Sequence, residues 1–200
     1  MKPVSDLLAL VTILIWPAIP LFWIPVHGLP ALFRRLGRLS YLVPAVLWSP
    51  LAYAIIENRS RLISFSIPLS SSVMAFGAAL LLLGTALHVW TGKLLSLRGL
   101  VGLPEISEEV DGRLTAEGPF AVVRHPTYLA HTIMLAGVFL MTGVIATAFV
   151  TILDLLLVNA IIIPLEEREL SQRFGADYDE YRRRVPRLFP NLKRRSDIHR

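Results

Sequence analysis

Long apolar stretches alternate with short charged segments along the chain. A helix needs about 20 apolar residues to cross the hydrocarbon core of a bilayer, with roughly 17 to 25 tolerated. Five stretches approach this length, with approximate limits 7–24, 39–56, 67–90, 128–143 and 146–165. The pattern therefore predicts an all-α integral membrane bundle of about five transmembrane helices.

The fourth and fifth apolar stretches are separated only by Gly143 and Val144. Glycine marks tight connections, so these stretches are expected to form an antiparallel helical hairpin. Both helices rise about 1.5 Å per residue, and residues equidistant from the turn therefore lie at similar depth. Depth matching gathers the following polar residues at one mouth of the hairpin: Arg124, His125, Tyr128, Asn159, Glu166 and Glu167.

Depth matching also brings two ionisable residues together inside the hairpin. Along the helix axis, His131 and Asp154 lie about 3 Å apart. An acidic group in the middle of a span is costly unless it is paired or faces a cavity. The sequence therefore indicates a buried pair of His131 and Asp154, for which a structural role and a catalytic role both remain open.

Composition agrees with a membrane location and limits the chemistry. Hydrophobic residues make up 54% of the chain, charged residues 18%, and the mean hydropathy is +0.58. The absence of cysteine excludes a disulfide and a thiolate nucleophile, and we predict no metal site. A single membrane domain over 1–200 is expected, with N-terminal spans (1–92), a loop (93–127), the hairpin (128–165) and a tail (166–200).

The positive charges predict an orientation. Cytoplasmic loops retain lysine and arginine, and 17 of the 20 basic residues lie in the first and third loops and the tail. The N-terminus is therefore expected outside and the C-terminus in the cytoplasm. The net charge of +5 reflects this topology and attraction of the tail to anionic membrane lipids. No basic module typical of nucleic-acid binding is present.

The tail predicts a cytoplasmic amphipathic C-terminal helix. Tyr178, Tyr181 and Val185 fall on roughly one helical face, and arginines occupy 182–184. Pro186 is expected to end the helix. Such a segment can anchor the protein to the membrane surface or close the hairpin mouth as a lid.

Two groups of motifs resemble a known family. Residues 118–128 read GPFAVVRHPTY, and the second group reads EEREL at 166–170, FGADYDEY at 174–181 and VPR at 185–187. This combination resembles the signature of the isoprenylcysteine carboxyl methyltransferase and phospholipid methyltransferase group. The resemblance covers roughly 114–190.

The resemblance implies an S-adenosylmethionine-dependent methyltransferase built from transmembrane helices. It assigns cofactor binding to His125, Tyr128, Leu129, Ala130, Glu166 and Glu167. Catalytic or positioning roles are expected for Arg124 and Glu167, and the pair of His131 and Asp154 is a candidate base relay. The implied partners are membrane lipids and a lipophilic or lipid-anchored acceptor.

The acceptor class stays open. Relatives that methylate carboxylates often carry an arginine shortly before the paired glutamates, whereas residues 161–165 read IIIPL here. An amine or a thiol, each of which must first lose a proton, is therefore a candidate acceptor as well as a carboxylate. Two alternative functions are an NADPH-dependent membrane sterol-type reductase and a non-catalytic membrane protein with a lipid-binding tail.

Overall fold

A computed structural model describes residues 2–107 and 112–190. Eleven helices are found in these ranges. They are α1 (Lys2–Ile15), α2 (Ala18–Gly28), α3 (Pro30–Leu36), α4 (Leu42–Glu57), α5 (Arg59–Ser64), α6 (Ser71–Leu100), α7 (Leu103–Ile106), α8 (Pro126–Thr142), α9 (Ile145–Leu157), α10 (Ile163–Phe174) and α11 (Ala176–Arg184). Short 3₁₀ turns cover Gly37–Tyr41 and Gly118–Ala121, and a π-helix at Val158–Ile162 joins α9 to α10.

Consecutive helices combine into spans. Four continuous helical stretches are long and apolar enough to cross a membrane: Lys2–Gly28, Pro30–Glu57, Ser71–Ile106 and Ile145–Phe174. The shorter apolar helix α8 packs beside them. These findings confirm the predicted all-α membrane bundle of about five helices. The last part of the predicted basic tail, 191–200, lies outside the described residues.

The hairpin turn lies at Gly143, as the sequence predicted. α8 ends at Thr142, and the next residue, Gly143, has a positive φ of 65°. A side chain at Gly143 would place its Cβ 2.3 Å from the carbonyl oxygen of Ile67. The backbone of the 65–67 segment crosses the turn and is joined to it by two hydrogen bonds. The Ile67 amide donates to the Gly143 carbonyl at 2.9 Å, and the Ile145 amide donates to the Phe65 carbonyl at 2.9 Å. Glycine is therefore required at this position both by conformation and by space.

Close packing of α6 against α8 forms the centre of the bundle. A Cβ added at Gly137 would lie 2.7 Å from the Leu81 amide nitrogen and 2.8 Å from the Gly77 carbonyl oxygen. A Cβ added at Gly84 would lie 2.9 Å from the Ala130 carbonyl oxygen. Small residues let transmembrane backbones approach closely, so these glycines set the distance between the two helices.

We expect Gly137→Ala to lower the thermal stability of the protein. The added methyl group meets backbone atoms of α6, and overpacking of this kind costs about 1–3 kcal/mol, which outweighs the roughly 1 kcal/mol of helix propensity that alanine gains. Thermal unfolding in detergent measures the change. Gly28→Ala is the matched control, because its Cβ meets nothing closer than 3.8 Å. Equal midpoints for the two variants would contradict the tight-packing assignment.

Candidate active site

An ion pair of Arg124 and Glu167 joins the segment before α8 to α10 at one end of the bundle. Arg124 Nη2 and Nε lie 2.6 Å and 3.1 Å from Glu167 Oε1, and the two side chains are only 9% and 8% exposed. Arg187, from the chain after α11, donates to Glu167 Oε2 at 3.3 Å. Charge-assisted bonds are roughly twice as strong as neutral ones, so two arginines hold this carboxylate in place. Depth matching predicted the meeting of Arg124 and Glu167, and the structure confirms it.

His125 lies between the paired glutamates. Its Nε2 is 3.2 Å from Glu167 Oε1 and its Nδ1 is 3.4 Å from Glu166 Oε2. Burial alone would lower the pKa of His125, but the carboxylates of Glu166 and Glu167 outweigh that effect and raise the pKa above its ordinary value. The folded protein therefore favours the protonated imidazole more than the unfolded chain does.

We expect His125→Gln to destabilise the protein more at low pH than at high pH. A raised folded-state pKa adds stability that is fully present below the unfolded value of about 6.5 and is lost as the pH rises through the folded value. Unfolding midpoints of wild type and variant, measured side by side across this range, give the difference. A difference that stays constant with pH would contradict the charged pairing.

The chain after α11, residues 185–188, forms a strap across the start of α8. The backbone amide of Arg124 donates to the Pro186 carbonyl at 2.8 Å, and that of His125 donates to the Arg187 carbonyl at 3.1 Å. Arg124 Nη1 also donates to two backbone carbonyls, that of Arg182 at 3.0 Å and that of Val185 in the strap. The strap and the ion pair therefore depend on the same arginine.

The aromatic face of α11 packs against the rest of the protein. Tyr178 and Tyr181 are both buried, which confirms that they share one face of an amphipathic helix. The Tyr181 hydroxyl donates to the Phe120 carbonyl at 2.7 Å, and burial raises its pKa to about 12, so it remains a donor. Leu188 of the strap is buried in an apolar cluster with Tyr128. The tail thus covers one end of the hairpin.

A cavity of about 640 Å³ opens beside these residues, between α6, α7, α8, α10 and α11. Several lining residues carry a buried polar atom that has no hydrogen-bond partner among residues 2–107 and 112–190. These atoms are His88 Nδ1, Glu105 Oε2, Thr127 Oγ1 and His131 Nδ1. Buried polar groups normally find partners, so this grouping indicates a site for a polar ligand.

The residues predicted to bind a cofactor divide into two sets. His125, Tyr128 and Glu166 line the cavity. Leu129 instead packs in the apolar cluster between α8 and α10, and Ala130 is completely buried with its carbonyl turned toward α6. In this structure the last two residues serve helix packing. Glu167 stands behind the cavity wall, occupied by its basic partners.

The predicted pair of His131 and Asp154 is wrong. Trp16 Nε1 donates to one Asp154 oxygen at 2.8 Å, and Thr132 Oγ1 donates to the other at 3.1 Å. Neighbouring helix residues point about 100° apart, so a helix that turns Thr132 toward Asp154 turns His131 away from it. The His131 ring faces His88 of α6, with a centroid separation of 4.7 Å. Asp154 is therefore tied to α1 and carries no base relay with His131.

Asn159 also departs from the predicted mouth. Its Nδ2 donates to the Leu155 carbonyl of its own helix at 2.8 Å. The π-helix at Val158–Ile162 changes the angular register, since a π turn takes more residues than an α turn. Depth matching gives a level along the hairpin and no direction around the helix axis, and Asn159 is not among the described residues that line the cavity.

A second buried ionic cluster was missed by the sequence reasoning. Glu169 Oε2 lies 2.6 Å from His27 Nδ1, and its Oε1 lies 3.7 Å from Arg34 and 3.6 Å from Arg173. Arg173 also lies 3.5 Å from Glu105. The cluster ties α2 and α3 to α7 and α10 beside the cavity. The usable signal was His27, an ionisable residue at the end of an apolar stretch, where a partner is required.

Together the fold and the site define a class: a helical membrane protein with a cavity lined by polar side chains at one end, built mainly by α6, α8 and α10. In the part of the chain that the structure describes, no group of three histidine or acidic residues is arranged to hold a metal ion. The chain belongs to the phospholipid methyltransferase family, whose model matches residues 72–177. That match spans α6 to α10 and confirms the resemblance seen in the sequence.

Individual relatives carry varied names. A cobalt-zinc-cadmium resistance protein, CzcN, of Cupriavidus metallidurans is 30% identical over 60% of this chain and 61% of its own length. Protein-S-isoprenylcysteine O-methyltransferase B of Arabidopsis thaliana is 33% identical over 58% of each chain. Methanethiol S-methyltransferase 2 of Bradyrhizobium diazoefficiens is 37% identical over 39% of this chain and 30% of its own length. The chain thus spans about 60% or less of these relatives, and no solved structure gives a significant match.

Proposed function

We propose that this protein is an integral membrane methyltransferase that uses S-adenosylmethionine and acts on a lipophilic or membrane-accessible acceptor. The observation that carries the proposal is the cavity beside the paired glutamates, with its group of unpartnered buried polar atoms. Membership of the phospholipid methyltransferase family supports it. Two of the named relatives are methyltransferases, for a prenylated cysteine and for methanethiol.

The residues present fit the chemistry of this donor. Its sulfonium and ribose hydroxyls need carboxylates, and its carboxylate end needs hydrogen-bond donors. Glu105 and Glu166 supply the carboxylate oxygens, while Arg173 and the Tyr178 hydroxyl supply donors on the same cavity wall. A volume of about 640 Å³ lies in the ordinary range of roughly 300–1,000 Å³ for ligand pockets.

The bound donor would supply an activated methyl group on a cationic sulfur, and the protein would supply position and shielding. Glu166 faces the cavity and would bind the donor directly, with His125 beside it. The Tyr128 ring offers a face for cation–π attraction. Arg124 and Glu167 neutralise one another and would act as positioning residues that fix the start of α8.

The strap at residues 185–188 would exclude water from the site. It is joined to the 124–125 segment by two backbone hydrogen bonds and buries Leu188 beside Tyr128. Removal of water strengthens electrostatic contacts and prevents side reactions. This supports the lid function that was predicted for the tail as an alternative to a simple membrane anchor.

The site end of the bundle would face the cytoplasm. The opposite end contains the hairpin turn and the 65–67 segment, and few basic residues lie near it in the sequence. The segments at the site end hold most of the lysine and arginine, the pattern of cytoplasmic loops. A polar donor would therefore enter from the cytoplasm, and a lipophilic acceptor from the bilayer.

Ligand binding to the purified full chain in lipid nanodiscs tests the proposal. We expect saturable, calorimetrically measured binding of S-adenosylmethionine, no competition by NADPH, and transfer of labelled methyl into a membrane-lipid or small-thiol extract. Binding of NADPH instead would favour the reductase. Binding of neither would favour a non-catalytic protein and overturn the assignment.

A further inference from the structure

Two histidines face each other in the cavity, away from the paired glutamates. The rings of His88 on α6 and His131 on α8 have centroids 4.7 Å apart and planes inclined by 36°. Both residues line the cavity, and the Nδ1 atom of each is buried without a hydrogen-bond partner among residues 2–107 and 112–190. The roles proposed above leave these rings without a function.

The helix packing holds the two rings in place. Gly84 lies four residues before His88, and its backbone meets that of Ala130, the neighbour of His131. The glycine contacts bring α6 and α8 together at this level and so set the distance between the backbones that carry the two rings. A rigid pair of this kind can position a substrate atom.

A purely structural role explains the pair poorly. An ionisable side chain within a span is costly unless it is paired or faces a cavity, and a structural pair would normally satisfy its nitrogens. Asp154 does not serve the pair, because its two oxygens accept hydrogen bonds from Trp16 and Thr132. The other ionisable groups on the cavity wall include Glu105, Arg124, His125, Tyr128, Glu166 and Arg173.

We propose that His88 and His131 form the acceptor end of the site and remove a proton from a thiol acceptor before methyl transfer. The proposal rests on the methyltransferase function proposed above. A neutral imidazole accepts a proton at one ring nitrogen, and each ring has an unpartnered nitrogen at the cavity. The apolar helices around the cavity suit a neutral lipophilic thiol that arrives from the bilayer.

The proton balance favours a thiol over an amine. A protonated thiol reaches the pair as a neutral molecule, whereas an alkyl amine, with a pKa of about 10.4, is a cation at neutral pH, which is costly to bring in from the bilayer. The thiolate sulfur then forms the bond to the methyl carbon. The bond from that carbon to the donor sulfur breaks, and its electron pair stays on the donor sulfur. The proton held by the histidine pair finally passes to water.

Transfer to two thiols of different acidity tests the proposal. The full chain in nanodiscs is given S-adenosylmethionine and either octanethiol, which is protonated at neutral pH, or thiophenol, which is much more acidic. We expect the double variant His88→Gln with His131→Gln to slow transfer to octanethiol about 100-fold, which is within the usual range for general bases. Transfer to thiophenol should slow by less than about 3-fold, because this thiol needs no base. Raising the pH should restore the octanethiol rate of the double variant.

Binding measurements separate this proposal from the proposed function. The double variant should bind S-adenosylmethionine as wild type does, while its donor-free form should bind octanethiol roughly fivefold more weakly through loss of one hydrogen bond. Thr85→Ala, on an exposed part of α6, should match wild type throughout. Equal losses with both thiols, or methyl transfer to carboxylates alone, would overturn the histidine proposal and leave the methyltransferase intact. Failure of wild type to bind the donor would overturn both.

Discussion

Glu166→Gln should weaken S-adenosylmethionine binding by roughly 10- to 100-fold, because a hydrogen bond to a charged group is worth about 1.5–3 kcal/mol. The carboxylate faces the cavity, with Oε2 buried 3.4 Å from His125 Nδ1. Glutamine keeps the size of the side chain but removes the charge that would attract a sulfonium. Titration calorimetry on the purified protein gives the affinity directly.

The same substitution at an exposed position provides the control for Glu166→Gln. Glu180 lies on α11 and pairs only at the surface, with Arg184 at 3.5 Å, where such pairs contribute little. Glu180→Gln should therefore leave donor affinity unchanged. If Glu166→Gln binds the donor as tightly as wild type, Glu166 is not the carboxylate that faces the sulfonium or ribose.

Arg124→Ala should lower the free energy of unfolding by about 3–5 kcal/mol, the usual cost of removing one partner from a buried ion pair. Among the described residues, it leaves Arg187 and His125 as the basic neighbours of the buried Glu167 carboxylate. It also removes the guanidinium that bonds the carbonyl at position 182 next to the strap. Denaturant unfolding in detergent should show the loss, and limited proteolysis should cut the tail faster.

Two matched variants test the reason for that loss. Arg182→Ala removes an exposed arginine whose ion pair with Asp179 spans 3.6 Å, and it should unfold like wild type. Arg124→Lys keeps the charge but loses the planar fork, so it should fall between wild type and Arg124→Ala. Protease resistance of the tail in Arg124→Ala equal to that of wild type would show that the strap does not depend on this residue.

The membrane fold was predictable because its signal is local. Apolar length identifies the spans, and the short connection at Gly143 predicted the hairpin that the structure shows. The close approach of α6 and α8 was not predicted. Gly84 and Gly137 are ordinary residues of apolar helices in the sequence, and only the neighbouring helix shows that their missing side chains are required.

Part of the site was also predictable, because depth along a helix is a local property of the sequence. A regular rise per residue gives depth along a hairpin, and this brought Arg124 level with the paired glutamates. Direction around the helix axis is a separate variable. Depth alone therefore matched His131 with Asp154, whereas the packing of α8 turned His131 toward α6 and His88.

The sequence by itself determined the class of fold, the spans, the hairpin and the motifs of the phospholipid methyltransferase family. These properties follow from apolar length, turn residues and neighbouring motif residues, all of which are local. Only the tertiary structure decided that Glu166 faces the cavity while Glu167 holds Arg124, and that His27 pairs with Glu169. Such choices depend on helix rotation and on contacts between distant segments, which the packing of the whole bundle sets.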